Sequence, residues 1–192
     1  MNTDQHIAGI PTLYRGVQYR SRLEAKWAAF FNEIGWWHTY EPFDAHGYIP
    51  DFMIQGARPF LVEVKPAVIF RDYHSTMQDI LPKLEGIWQH DVLVTGVTPL
   101  PHIGDKFLGN AYPAAGLLGE HWPTQDGWDV DTGRWFHCLR CGTPCLMHSS
   151  QSWAGRPCGH DDGNTYIGPM SNEKIESAWS AAGNTVQWWK AE

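Results

Sequence analysis

The sequence predicts an α/β protein: a mixed β-sheet flanked by helices, followed by a small appendage built around metal and aromatic side chains. Three observations carry this expectation. The first hundred residues run helix, three strand-like segments, helix, strand, an order that suits a mixed sheet with helices on its faces. Beyond Pro99 the chain is broken up by Pro and Gly as far as Pro123. All 4 Cys then fall between Cys138 and Cys158, and seven of the 11 Trp lie in 122–192. The expected division is a core over 1–100, a loop-rich connection over 101–121 and a Trp-rich zinc-binding appendage over 122–192.

The elements follow in order. Ser21 is a good N-cap with Glu24 three residues on, a capping-box pattern. Leu23, Trp27, Phe30, Phe31 and Ile34 recur at helical spacing, and Gly35 supplies a stop, so a helix is expected over Ser21 to Ile34. Trp36 to Tyr40, Tyr48 to Ile54 and Phe60 to Val64 are short runs bounded by Pro and Gly, the pattern of an antiparallel meander. A helix is expected from about His74 to Trp88, kinked or divided by Pro82. Asp91 to Val97 reads as a buried strand, and a last helix is expected from about Asn172 to Ala182.

Composition excludes several classes. Hydrophobic residues make up 43% of the 192, too many for a disordered chain. No run of about 18 apolar residues exists, so no membrane span is expected. The start lacks a basic segment followed by an apolar one, so no signal peptide is expected, and clustered Cys in a cytoplasmic chain suggest metal before disulfide. The net charge of -7 argues, taken as an average, against a nucleic-acid partner. Locally the balance reverses: Arg15, Arg20, Arg22 and Lys26 face one acid, Glu24, with Tyr14 and Tyr19 interleaved. Such donors just before a helix suit phosphate contacts, or else form an ordinary solvated basic surface.

Three residues carry the chemistry. Glu63 and Lys65 are two apart, so on a strand they leave the same face. If the strands either side of Gly56 pair, Asp51 lies beside Glu63. Two adjacent carboxylates repel unless a cation lies between them, and an all-oxygen site of this kind suits Mg²⁺. Lys65 is placed to orient a metal-bound water or to stabilise charge on a phosphate. The plainer alternatives are a turn role for Asp51, an exposed ion pair for Glu63 and Lys65, and a capping role for Glu24.

IPDF, with VEVK beginning after it on the next strand, resembles the PD-(D/E)xK nuclease superfamily, the restriction-endonuclease-like fold. The upstream helix with Glu24 in SRLEAKW is also part of that pattern, and YRGVQYRSRLEAKWAAFF resembles the opening of small phage and bacterial members. The resemblance spans roughly residues 12 to 98. It implies a Mg²⁺- or Mn²⁺-dependent endonuclease hydrolysing DNA phosphodiester bonds. Asp51 and Glu63 would be the metal ligands, with the Val64 carbonyl as a further one. Lys65 would act on the water and the scissile phosphate, and Glu24 would help to place metal or water. Arg15, Arg20, Arg22 and Lys26 would contact DNA. Gln78 and Lys83 fall on the second helix, where the superfamily often adds a polar residue. Cutting both strands often uses a homodimer in such enzymes. The rival expectation is a non-catalytic nucleic-acid- or protein-binding module, a phage adaptor or inhibitor, that keeps the fold.

Cys138 and Cys141 stand in C-x2-C spacing before Gly142, the shape of a zinc knuckle. Cys158 and His160 would complete a closed tetrahedral Zn²⁺ site. The C-x-H half is unusual, which leaves Cys145 and His148 as alternative ligands and His137 as a weaker one. The other alternative is four buried, reduced Cys acting as small apolar side chains. The appendage is poor in aliphatic residues, so a structural zinc would help to hold it together. Trp128, Trp135, Trp153 and Trp179 read as packing rather than as base-stacking platforms.

Overall fold

The structure is a computed structural model and describes residues 9–101, 112–122, 127–148, 153–154, 157–160 and 167–187. It begins with a hairpin, β1 (Thr12–Tyr14) and β2 (Val17–Tyr19), followed by helix α1 (Arg22–Glu33). Strands β3 (His38–Tyr40), β4 (Phe52–Ile54) and β5 (Phe60–Val64) form an antiparallel meander. Helix α2 (Phe70–Leu84) crosses over to β6 (Val92–Thr95), which pairs with β5 in parallel. Then come β7 (Ala114–Trp122), β8 (Gly127–Cys138), β9 (Pro144–His148), β10 (Trp153–Ala154), β11 (Ile167–Pro169) and helix α3 (Asn172–Gln187).

One mixed sheet takes in nearly all of this, in the order β10-β9-β8-β7-β6-β5-β4-β3, with β11 on β8. β8 is long enough to hold β7 and then β11 along one edge while β9 takes the other. The protein is therefore mixed α/β, with a mixed sheet and three helices among the described residues. None of those helices is long and apolar enough to cross a membrane.

The stretch expected to be loop from Pro99 to Pro123 contains β7, the nine-residue neighbour of β6. Its Ala-Ala-Gly-Leu-Leu-Gly run has small residues that punctuate a chain in isolation but fit a strand buried on both faces. Gly104, Gly109 and Pro123 lie outside the described residues. Nor does the sheet break near residue 100 or 122, where the core and the appendage were expected to part.

Other boundaries shift for local reasons. α2 starts at Phe70 rather than His74 and ends at Leu84 rather than Trp88, and Pro82 falls inside its last turn without dividing it. β4 keeps only Phe52–Ile54 of the expected run, because Tyr48 is taken by a bridge to Ala45. α3 runs on to Gln187 through Gly183, where a Cβ would meet Lys26 Cε at 3.1 Å, so a glycine there admits the α1 side chain. The β1–β2 hairpin has no counterpart in the sequence expectations; Arg15 and Gly16 form its turn, both at positive φ.

The core beneath the sheet is aromatic. Trp27, Phe30 and Phe31 of α1 meet Trp36, Phe52 and Phe60 from the meander and Trp135 from β8. Trp179 of α3 closes the cluster, 4.9 Å from Trp27 between ring centroids. Three buried indoles also bind loop carbonyls: Trp27 Nε1 donates to Gly96 O at 2.8 Å, Trp36 Nε1 to Pro144 O at 2.9 Å and Trp135 Nε1 to Pro99 O at 2.7 Å. Two of these bonds join the first hundred residues to the last. Trp128 packs partly buried in the second core, on the α2 face of the sheet, while the Trp153 side chain lies outside the described residues.

Because Trp135 is fully buried and serves both ends of the chain, Trp135→Ala should cost about 3–5 kcal/mol. Urea unfolding followed by far-UV circular dichroism and by Trp fluorescence should give one coincident transition in the wild type. Two separated transitions would show that the halves are independent.

Candidate functional site

The site is assembled by the β4–β5 hairpin. Phe52 pairs with Val62, so one further step along the register brings Asp51 beside Glu63. β5 lies between β4 and β6, and all five of its residues are buried. Asp51 is 2% exposed and Glu63 3%, in a part of the fold where carboxylates are rare unless paired. Each has partners. Asp51 Oδ2 accepts from the Val64 amide at 2.7 Å, and its Oδ1 accepts from the Arg20 guanidinium. Glu63 Oε1 lies 2.7 Å from Lys65 Nζ, and its Oε2 accepts from the Tyr48 hydroxyl at 2.8 Å.

Glu24 joins from α1. Its amide donates to Ser21 Oγ at 3.1 Å, the N-cap bond, and the Ser21 hydroxyl donates to Glu24 Oε1 at 2.8 Å. The other oxygen accepts from Tyr40 OH at 2.6 Å. Capping and a place near the carboxylates thus coexist. Arg20 sits between the groups, with Nε 3.0 Å from Glu41 and 3.8 Å from Glu24. The short hairpin β1–β2 is what delivers it there, since Arg20 directly follows β2 and precedes the Ser21 cap.

Charge crowding shows in the protonation balance. Burial, then the charge of Glu63, pushes the Asp51 pKa up to about 7. Burial works against the Lys65 ammonium, but Glu63 and Asp51 outweigh it and raise its pKa. Burial and the adjoining Glu63 also raise the Tyr48 pKa, so its hydroxyl stays a donor. The arrangement is a pair of buried carboxylates balanced by two cationic side chains, with hydroxyl donors around it.

Tyr40, Glu41 and Tyr48 were not singled out in the sequence. Tyr40 ends β3 and Tyr48 follows the bridge to Ala45, so each reads there as a generic aromatic. Their closeness to Asp51 along the chain was the available signal. Lys83 of α2 reaches the same region, its Nζ 5.4 Å from the centre of the Tyr48 ring, while Gln78 is exposed. The basic residues divide. Arg15 and Arg22 are exposed, Arg20 is engaged with Asp51, and Lys26 turns away to lie 3.9 Å over the Trp179 ring between α1 and α3.

The second cluster is Cys138, Cys141, Cys158 and His160, whose ligand atoms all lie within 4.8 Å of one another. This group can hold a metal ion such as zinc. Gly142 N donates to Cys138 O at 2.7 Å and Cys138 N to Thr143 O at 2.9 Å, which folds the knuckle back on itself. Burial opposes the Cys138 thiolate, but the amides of Cys141 and Arg140 and the His160 side chain bring its pKa down to about 6. Cys145 and His148 are buried on β9 and outside the cluster, with Cys145 packed against Phe136 and Met147. His137 lies against Gly168 of β11.

The Arg20–Asp51 contact gives a pH-dependent expectation. Above about pH 7 Asp51 is charged and needs Arg20; well below it the carboxyl is neutral. Arg20→Gln should therefore cost about 1–2 kcal/mol at pH 8.5, held down by the half exposure of Arg20, and less at pH 5. Chemical denaturation at the two pH values checks this; an equal loss at both would contradict it.

Comparison with protein-family models, with curated proteins and with solved structures finds no match to this chain.

Proposed function

We propose that the protein is a divalent-metal-dependent nuclease of the PD-(D/E)xK kind, hydrolysing DNA phosphodiester bonds, with Zn²⁺ as a structural ion in the Cys/His group. The observation that carries this reading is the buried pair Asp51 and Glu63 with Lys65 bonded to Glu63, on paired strands behind a helix bearing Glu24. The donor set fits Mg²⁺ or Mn²⁺, because it offers carboxylate oxygens and no sulfur or imidazole. A divalent ion bound there would lower the pKa of a bound water and polarise the phosphoryl oxygen.

The chain's own residues have defined tasks. Asp51 and Glu63 would hold the cation, and the Val64 amide fixes the orientation of the Asp51 carboxylate. Lys65, tied to Glu63, holds a proton and a positive charge beside the attacking water and the phosphate. Tyr48 keeps Glu63 in its rotamer, and Tyr40 does the same for Glu24. Arg20 neutralises Asp51, and were the carboxylates to hold a cation its guanidinium would be free to meet a phosphate. Arg15 and Arg22, exposed on the same N-terminal segment, extend that basic surface.

A second reading, a binding module that keeps the fold without catalysis, draws on one observation. Arg20 and Lys65 already supply counter-charges to the carboxylates from within the chain. The assay that separates the two uses supercoiled, linear and branched DNA with Mg²⁺ or Mn²⁺. The nuclease reading expects metal-dependent cleavage by the wild type, with Asp51→Ala and Lys65→Ala each lowering the rate by about 10²-fold or more. Cleavage that survives both substitutions sinks the site assignment; no cleavage of any form favours the binding module.

Metal binding should also depend on pH in a stated direction. A proton on Asp51 competes with the cation, so Mn²⁺ affinity should rise with pH up to about 7 and then level off. Calorimetric titration between pH 5.5 and 8.5 in buffers of different ionisation enthalpy reads both the affinity and the proton released. A flat profile would mean that Asp51 is not a ligand.

A further inference from the structure

The two halves of the Cys/His group come from different parts of the chain, and each touches the β3–β4–β5 meander. Cys138 ends β8 and Cys141 lies in the turn that follows. That turn leads into β9, whose first residue, Pro144, accepts from Trp36 Nε1 at 2.9 Å just ahead of β3. Cys158 and His160 belong to 157–160, and this segment sits on the β4–β5 turn. Ala57 N donates to Pro157 O at 3.2 Å. A Cβ on Gly56 (φ +156°) would come within 2.5 Å of both Cα and O of Pro157, and one on Gly159 within 2.6 Å of Ala57 Cβ. At Gly56 backbone meets backbone, and at Gly159 the only side-chain atom met is the rigid Ala57 Cβ.

We propose that a zinc ion bound by Cys138, Cys141, Cys158 and His160 clamps residues 157–160 onto the β4–β5 turn, so that zinc occupancy and the setting of the hairpin carrying Asp51 and Glu63 are coupled. The ion supplies what joins the two halves: three sulfur ligands and an imidazole within 4.8 Å of one another are drawn together by a cation and repel or drift apart as thiolates without one. With the ion in place, Pro157 is held where it accepts from Ala57, and the turn has a fixed abutment. Without it, 157–160 loses its tie to β8, and the turn loses its lid.

Such coupling is reciprocal: whatever zinc contributes to docking of the turn, a disturbed turn takes from zinc affinity. A substitution that touches no ligand should therefore weaken zinc binding. Gly56→Ala pushes a methyl group into Pro157 and should raise the zinc Kd about tenfold or more, measured on the full chain by competition with a chromophoric chelator. Gly86→Ala is the control, a glycine at φ +72° with nothing within 4 Å of the added carbon, and should leave the Kd unchanged. Hydrogen exchange on the wild type supplies a second readout that needs no variant to fold: the Ala57 amide should be protected in the zinc-loaded protein and lose protection when zinc is removed. A wild-type zinc Kd in Gly56→Ala, or an Ala57 amide indifferent to zinc, overturns the proposal. Failure of the wild type to take up one equivalent of zinc overturns it as well, and identifies the metal site as the failing step. None of these readouts involves DNA, so loss of the nuclease reading and loss of this coupling are told apart.

Discussion

Two carboxylates side by side in the middle of a sheet set the terms for the rest of this structure. Asp51 and Glu63 are almost completely buried, and the charge of Glu63 adds to the cost of ionising Asp51. A fold keeps such a pair only by surrounding it with donors. The Val64 amide, Tyr48, Lys65 and Arg20 meet that need, and three structural devices deliver them, with Val64 and Lys65 both at the end of β5. β5 contributes the amide because its edge toward β4 is continued past the last ladder pair. The bridge at Ala45 brings Tyr48 back, and the small hairpin ahead of α1 delivers Arg20. The local architecture before residue 66 is thus largely a scaffold for placing positive ends of dipoles and cations around two negative charges.

The aromatic core explains how that scaffold stays rigid. α1 lies under the meander with Trp27, Phe30 and Phe31 inward, and the later part of the chain completes the packing with Trp135 and Trp179. Rings bury large apolar areas, and their N–H groups also need partners. Here those partners are the carbonyls of Gly96, Pro99 and Pro144, the first two beyond the end of β6 and the third at the start of β9. Burial and hydrogen bonding therefore act on the same residues, and the C-terminal part becomes a second side of one core instead of a separate unit. Lys26 fits the same logic: its charge is held over the Trp179 ring at the helix interface, and burial lowers its pKa.

Much of the first half was legible in the sequence because its signals are local. The Ser21–Glu24 cap, the apolar face of α1 and the turn-bounded strands each depend on residues a few positions apart, and the structure has all of them. The meeting of Asp51, Glu63 and Lys65 follows from strand alternation once the Gly56 turn is granted. The rest depends on distant partners. β7 contains Gly116 and Gly119, which read as breakers until β6 and β8 are placed on either side. Lys26 reads as one of four basic residues, and only α3 reveals its packing role. Tyr40 and Tyr48 become site residues through bonds to carboxylates 16 and 15 positions away. Among the cysteines, the C-x2-C spacing marks one half of the cluster, whereas Cys145 is excluded from it by strand pairing that spacing alone does not express.

The hairpin β4–β5 finally carries different donor chemistry at its two ends. Its open end bears hard carboxylate oxygens; its turn end abuts three cysteine sulfurs and an imidazole. Soft and borderline ions favour the second, and oxygen-seeking ions the first. The strands between are three and five residues long, so at about 3.3 Å per residue the two ends lie on the order of 10–15 Å apart. Such a span is far beyond hydrogen-bond reach. Mechanical influence between the two ends then passes through the backbone ladder. A short, fully buried central strand with ladder bonds on both edges is stiff enough for that, since moving either end disturbs the register of β4, β5 and β6 together.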